Sequence, residues 1–141
     1  MTDRILIGVD ESEQALDALS FAADEWPESD LVLVSVIDPA QGGYAPGAGV
    51  PSNAEQWYER RKTETEELLA AAADSIDTAG SVETTTTVGT PAAAIVEYAA
   101  DHDVDHIVVG SHGRGGISRI VLGSVAESVV RNAPVPVTVV R

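Results

Sequence analysis

Four glycines fall within the seven residues Gly110-Ser111-His112-Gly113-Arg114-Gly115-Gly116, and a fifth follows in Gly123-Ser124. Residues of this type suit one kind of chemistry. Glycine admits positive φ and has no Cβ to hold a ligand away from backbone amides. A helix starting at Gly123-Ser124 would add unpaired N–H groups and the positive end of its dipole. Together these make an anion site, and the biological anion they fit is phosphate. Glycine-rich stretches also serve as plain flexible linkers, so the loop alone leaves both readings open. His112 lies inside the stretch, but the loop has no carboxylate neighbour to orient it as a base, and no catalytic role is assigned to it. His102 and His106 read as surface or packing residues, and Arg114 and Arg119 as cations within or beside the loop.

The elements around the loop follow from hydrophobic periodicity. His106 followed by Ile107, Val108 and Val109 is the end of a buried strand, and Ala126, Val129 and Val130 mark a helix after it. At the start of the chain, Ile5 to Val9 is an apolar run expected of a strand covered on both faces, ending at Asp10. Leu16, Leu19, Ala22, Ala23 and Trp26 then recur at helical spacing, with Asp10 and Glu13 as a capping box and Pro27 as the stop. A second strand runs from Leu31 to Ile37. Residues 40 to 51 hold four glycines and two prolines and read as a long loop. Ser52 and Glu55 form a second capping box, before a helix whose stripe is Trp57, Arg61, Thr65, Leu68, Leu69, Ala72 and Ile76 and whose end is Gly80. Val82 to Val88 is a β-branched, polar strand expected near a sheet edge. Thr90-Pro91 opens a helix with Ala92, Ile95, Val96, Ala99 and Ala100 on its apolar face. Val135 to Val140 is a last strand, with Pro136 at an edge or a strand start.

This order, β-α-β-α-β-α-β-α-β, has no internal repeat and no composition break, and it reads as one domain over residues 1–141. It calls for an α/β fold: an open five-stranded parallel sheet with helices on both faces and right-handed crossovers. Such sheets bind ligands beyond the carboxyl ends of their strands, where the strand order reverses. In a 3-2-1-4-5 order, taken by analogy, the reversal lies between the first and fourth strands. Asp10 and Gly110 would then face each other across one crevice, which strengthens the phosphate reading of the loop.

Composition narrows the function. The chain carries 23 Asp and Glu against 8 Lys and Arg, a net charge of −15. That sign argues against nucleic acid and anionic membranes as partners. Only Glu127 among the acids lies beyond residue 109, together with Arg114, Arg119, Arg131 and Arg141, so the glycine loop sits in the net-positive part. Carboxylates dispersed over every other segment suit a halophile's protein, in which concentrated salt screens self-repulsion. Cysteine is absent, which removes disulfide and thiolate chemistry, and no metal site is proposed. No run approaches the ~20 apolar residues of a membrane span, and no leader pattern opens the chain, so a cytoplasmic location is expected.

Two common nucleotide motifs fail. The single lysine, Lys62, lies inside the second helix, which excludes a P-loop. No glycine pattern follows Gly8-Val9-Asp10, and Ser118 stands where a dinucleotide fingerprint needs its third glycine.

Over nearly its whole length the chain resembles the universal stress protein family, specifically its ATP-binding branch. Gly110-Ser111-His112-Gly113, nine residues, then Gly123-Ser124 match that branch's G-x-x-G-x9-G-[ST] pattern without a gap. Val9-Asp10, Val36-Ile37-Asp38 and Val88-Gly89-Thr90-Pro91 are similar to the family as well. The resemblance implies an adenine-nucleotide alpha-hydrolase-like fold. It implies ATP, or ADP or AMP, as ligand, with Mg2+ accompanying it. Asp10 would hold the ribose, and Val36 would contact adenine in a slot lined by Val9 and Val109. Gly110, Gly113, Gly123, Ser124 and Val125 would hold the phosphates, with Arg114 beside them. It further implies a homodimer formed through Val135 to Val140.

Three functions are compatible with these residues. The first is a nucleotide-dependent sensor or regulator in a stress response, presenting a changed surface to a regulatory protein partner. A slow ATP-hydrolysing enzyme is the second, with Asp10, Asp38 and Arg114 supplying parts of a site that lacks an identifiable base. The third is a nucleotide-free structural dimer module, against which the intact glycine pattern argues.

Overall fold

The apolar runs at residues 5–7 and 107–109 lie side by side at the middle of a parallel sheet, with no solvent on either face. The computed structural model describes residues 3–42, 54–111 and 122–141. Its strands are β1 (Arg4–Gly8), β2 (Asp30–Ile37), β3 (Val82–Val88), β4 (His106–Gly110) and β5 (Val137–Val140). Helices α1 (Glu13–Glu25), α2 (Ala54–Asp74), α3 (Pro91–Asp101) and α4 (Ser124–Asn132) alternate with them. The sheet order is β3-β2-β1-β4-β5, and every pair is parallel. The expected five-stranded open fold is therefore present.

Strand alternation divides the core in two. Ile5, Ile7, Val9, Leu31, Leu33 and Val108 point to the face covered by α1 and α2, where they meet Leu19, Ala22, Leu69 and Ala72. Leu6, Val32, Val34, Ile107 and Val109 point to the other face, against Ala92, Ile95 and Ala99 of α3 and Ala126 and Val129 of α4. Each fully buried Leu, Ile or Val contributes about 1.5–3 kcal/mol relative to exposure, so the three central strands carry much of the stability. The threonine-rich β3 forms one edge and is partly exposed throughout, in keeping with its composition. The short β5 forms the other.

Several expected boundaries shift. Asp10 does not cap α1: Ser12 does, its Oγ accepting the Ala15 N–H at 3.2 Å. Asp10 instead braces the cap, its Oδ1 accepting from the Ser12 N–H at 2.8 Å and from the Ser12 hydroxyl. Leu16 is not on the buried stripe of α1 but 45% exposed, because Ala15, Ala18, Leu19, Ala22 and Ala23 fill the tight space against β4 and β1. Helix α2 stops at Asp74 instead of reaching Gly80. The chain then turns back, and the amides of Ala79 and Gly80 both donate to the Pro27 carbonyl. Residues 39–42 form a 3-10 turn, the last three of them inside the stretch from 40 to 51 expected to be a long loop. Strand β5 begins at Val137, not Val135, with Pro136 just before it accepting from the Ile107 N–H. The expected Ser52 capping box, the rest of the loop to residue 51, and Gly113, Arg114 and the other glycine-loop residues from 112 to 121 lie outside the described residues.

Candidate functional site

At the carboxyl ends of β1 and β4 the chain departs in opposite directions: β1 leads to α1 on one face, and the residues after β4 lead to α4 on the other. A crevice must open between such connections. Here it is a cleft of about 480 Å³, within the range of roughly 300–1,000 Å³ usual for small-molecule sites.

Val9 and Asp10 line it from the end of β1, Val36 from the end of β2, and Val109 and Gly110 from the end of β4. Gly123, Ser124 and Val125 line it from the start of α4. Eight residues singled out in the sequence thus border one cavity. Val9 is held by its amide, which donates to the Val34 carbonyl at 2.8 Å, extending the β1–β2 ladder one residue past the strand. The two valines Val9 and Val109 come from opposite core layers, and Val36 is half-buried beside the second of these. Ile95 and Pro91 of α3 complete an apolar wall.

The polar wall is built differently. Gly123 is the N-cap of α4, with φ −65° and ψ 159°, and no side chain caps the first turn. Gly123, Ser124, Val125 and Ala126 of this helix start border the cavity, and the N-terminal end of a helix attracts anions. The Gly123 amide donates to the Ser111 carbonyl, and the Ser111 amide to the Val140 carbonyl, both at 2.7 Å. These two bonds anchor the start of α4 to the top of β4 and β5. Gly110 is required by crowding, not by its φ, which is not left-handed: a Cβ there would lie 2.8 Å from Gln14 Cβ and 2.9 Å from the Gln14 carbonyl. Helix α1 can approach β4 this closely only over a glycine.

Sequence reasoning missed several lining residues. Ser12 and Ser35 are buried polar groups in the wall, and Glu11 follows Asp10 along the same turn. The sequence puts Arg61 on the inner stripe of α2, and an arginine on such a stripe is itself the available signal. Its Nη1 donates to Glu11 Oε1 at 3.1 Å and lies 3.6 Å from Glu64 Oε2, so α2 is tied to the β1–α1 turn across the mouth of the cleft. Gln41, in the 3-10 turn, lines the same side.

The remaining histidines lie away from the cleft lining. His102 stacks on Tyr98 with ring centroids 3.8 Å apart. His106 Nε2 lies 2.7 Å from Thr138 Oγ1, its ring packs 4.8 Å from that of Trp26, and burial lowers its pKa below the usual 6.5. His106 is a packing residue and His102 an exposed one, within the surface-or-packing reading of their positions beside a strand. Among the described residues no group of three His, Asp or Glu side chains is arranged to hold a metal ion, and no helix is long and apolar enough to cross a membrane.

Comparison with known proteins places this geometry among relatives. The profile of the Universal stress protein family matches residues 1–141. The universal stress protein MJ0531 of Methanocaldococcus jannaschii is 35% identical over 143 residues, covering 98% of this chain and 81% of that one. The structure of MJ0577, from the same organism, superposes with a TM-score of 0.84 at 28% identity, over 99% of this chain and 96% of that one. A universal stress protein solved in complex with cAMP superposes with a TM-score of 0.70 at 25% identity, over 99% of this chain and 97% of that one.

Proposed function

The chain belongs to the universal stress protein family, and from that premise we propose that it is a member of the ATP-binding branch, a nucleotide-dependent regulator in the stress response. One observation carries the reading. Apolar residues from both core layers and an uncapped helix start border the same cleft, so a ligand with a flat apolar end and an anionic end has a place for each. An adenine nucleotide is such a ligand. Val9, Val36 and Val109 form its adenine slot. Asp10 accepts from the ribose hydroxyls. The amides of Ser124 and Val125, beside the side-chain-free backbone of Gly110 and Gly123, take the phosphates, together with Gly113 and Arg114 of the glycine loop. ATP supplies three phosphates to this end, ADP and AMP fewer, and Mg2+ enters on the phosphates themselves. The relative bound to cAMP supports an adenine nucleotide as the ligand class.

In this reading binding is the function and turnover is incidental. Phosphate contacts at α4 and ribose contacts at Asp10 join the two connections that leave the sheet on opposite faces, and occupancy would fix their relative position. A cytoplasmic homodimer, paired through β5, would offer that altered surface to a regulatory protein.

The test is calorimetric titration of ATP into the wild type and Gly123→Val. The backbone at 123 is already in the extended region open to valine, so the fold should survive, while a branched side chain at the helix start should abolish ATP binding. Circular dichroism confirms folding, and mass measurement of nucleotide carried through native purification gives the natural ligand. Equal ATP affinity in two folded proteins would refute the site.

A further inference from the structure

Three of the chain's eight cations, Arg60, Arg61 and Lys62, are consecutive in a protein of net charge −15, and the helix that carries them borders the cleft. Two of them, Arg60 and Arg61, line a cavity, and against such a background paired cations mark where negative charge is attracted. A second depression, of about 460 Å³, opens beside the cleft and is lined by Gln41, Trp57, Arg60, Arg61 and Glu64. Gln41 and Arg61 line both cavities. The wall between them is therefore a guanidinium and an amide, groups that donate hydrogen bonds to anions.

The order of groups across the crevice fixes which part of a ligand meets this wall. The helix start at Gly123 and Ser124 lies on the β4 side, Asp10 lies at the end of β1, and Arg61 and Gln41 lie on the β2 side. A nucleotide with its 5′-phosphate at α4 and its ribose at Asp10 brings the 2′ and 3′ oxygens to the turn that carries Glu11, the residue that Arg61 holds at 3.1 Å. The guanidinium, 25% exposed, is shared between Glu11, 43% exposed, and Glu64, and a better acceptor at this mouth would compete with both carboxylates for it. A phosphate dianion is that acceptor, and arginine binds it through two parallel N–H bonds.

Resting on the nucleotide reading above, we propose that Arg61 is a specificity-determining residue for a second phosphate on the ribose. The preferred ligand class is then an adenosine bisphosphate, phosphorylated at the 5′ oxygen and at the 2′ or 3′ oxygen. Glu11 holds the guanidinium in place and competes with that phosphate for it.

Titration of the full chain with 5′-AMP, adenosine 3′,5′-bisphosphate and adenosine 2′,5′-bisphosphate tests this. At least one bisphosphate should bind tenfold or more tightly than 5′-AMP. Arg61→Gln should bring that ratio close to one, and Glu11→Gln should raise it by removing the competitor. Reading a ratio makes the test independent of any general loss of affinity, and circular dichroism checks that each variant is folded. If 5′-AMP binds but the wild-type ratio is near one, or the ratio persists in Arg61→Gln, the role of Arg61 is overturned while the nucleotide site stands. Absence of binding by all three nucleotides overturns the role of Arg61, and only if ATP titrated alongside them also fails to bind does the nucleotide reading fall with it.

Discussion

A methyl group added at residue 110 would meet the backbone of Gln14, and that contact makes Gly110 a structural requirement independent of any ligand. Neither the start of α1 nor the end of β4 can retreat without disturbing buried neighbours, so Gly110→Ala should destabilise the fold by about 1–3 kcal/mol, the usual range for overpacking. Urea denaturation of the ligand-free protein gives the value, and a change within error would show that α1 can shift. His106 supplies a second prediction. Burial against Trp26 and Thr138 disfavours its charged form, and the nearby Asp105 carboxylate is already occupied by the amides of Asp3 and Arg4. The unfolded chain therefore binds the proton more readily than the folded one. The neutral histidine's contribution is full above its unfolded pKa near 6.5 and declines as pH falls toward the lowered folded value. Between pH 7.5 and 5 the melting temperature of the wild type should drop further than that of His106→Gln, and equal drops would remove the effect. At this scale the sequence was legible where one residue type has few uses. Asp10, Gly110 and Gly123 stood out by type and spacing, and all three border the cleft. Ser12 as the true cap was not legible, because Asp10 and Ser12 are both good caps and only the turn between them decides which one donates and which accepts.

Edges decide what an element can do beyond its own chain. The carbonyls of Pro136, just before β5, and of Val140 accept from Ile107 of β4 and from Ser111 just after it, so in a strand, where backbone polar groups alternate in direction, the N–H and C=O of Val137 and Val139 point away from the sheet. The side chains of these two valines pack against the α3 and α4 layer, so a probe of association must leave them apolar. Val139→Pro removes an outward N–H, keeps an apolar side chain, and leaves the β4 ladder intact. If β5 pairs with its own copy, sedimentation should move from dimer toward monomer in this variant while the circular dichroism spectrum is retained; a monomeric wild type at micromolar concentration would end the proposal. Elements were the most legible level of the sequence. Continuous apolar runs identified the central strands, and repeated threonine identified an edge. Ends were less legible: α2 stops six residues before Gly80, because its final stretch folds back onto Pro27, a contact with no local pattern. Leu16 illustrates the same limit, since helical spacing cannot tell which of two adjacent apolar positions faces a sheet too close to admit leucine.

Whole-molecule behaviour should be dominated by charge. A net of −15 on 141 residues leaves the compact state under self-repulsion, and the screening length falls from ~10 Å at 0.1 M salt to ~3 Å at 1 M. Thermal stability should therefore rise steadily across that range, followed by circular dichroism, and a melting point unaffected by salt would reject a halophilic adaptation. Fold class could be read at this scale from element order alone, since strands and helices that alternate throughout leave few alternatives to a parallel sheet. Strand order could not: nothing local in β4 says that it pairs with β1 on the side away from β2. The cleft inherits a further property from that order. One valine of its wall is rooted in the layer under α1 and α2, the other in the layer under α3 and α4. A molecule wedged between them acts as a rivet through both plates of the sandwich, and neither plate could then open alone without first letting it go. Slow amide exchange in two layers that share no side chains would come to depend on a single dissociation event, so the concentration of one small molecule would set the lifetime of the whole fold.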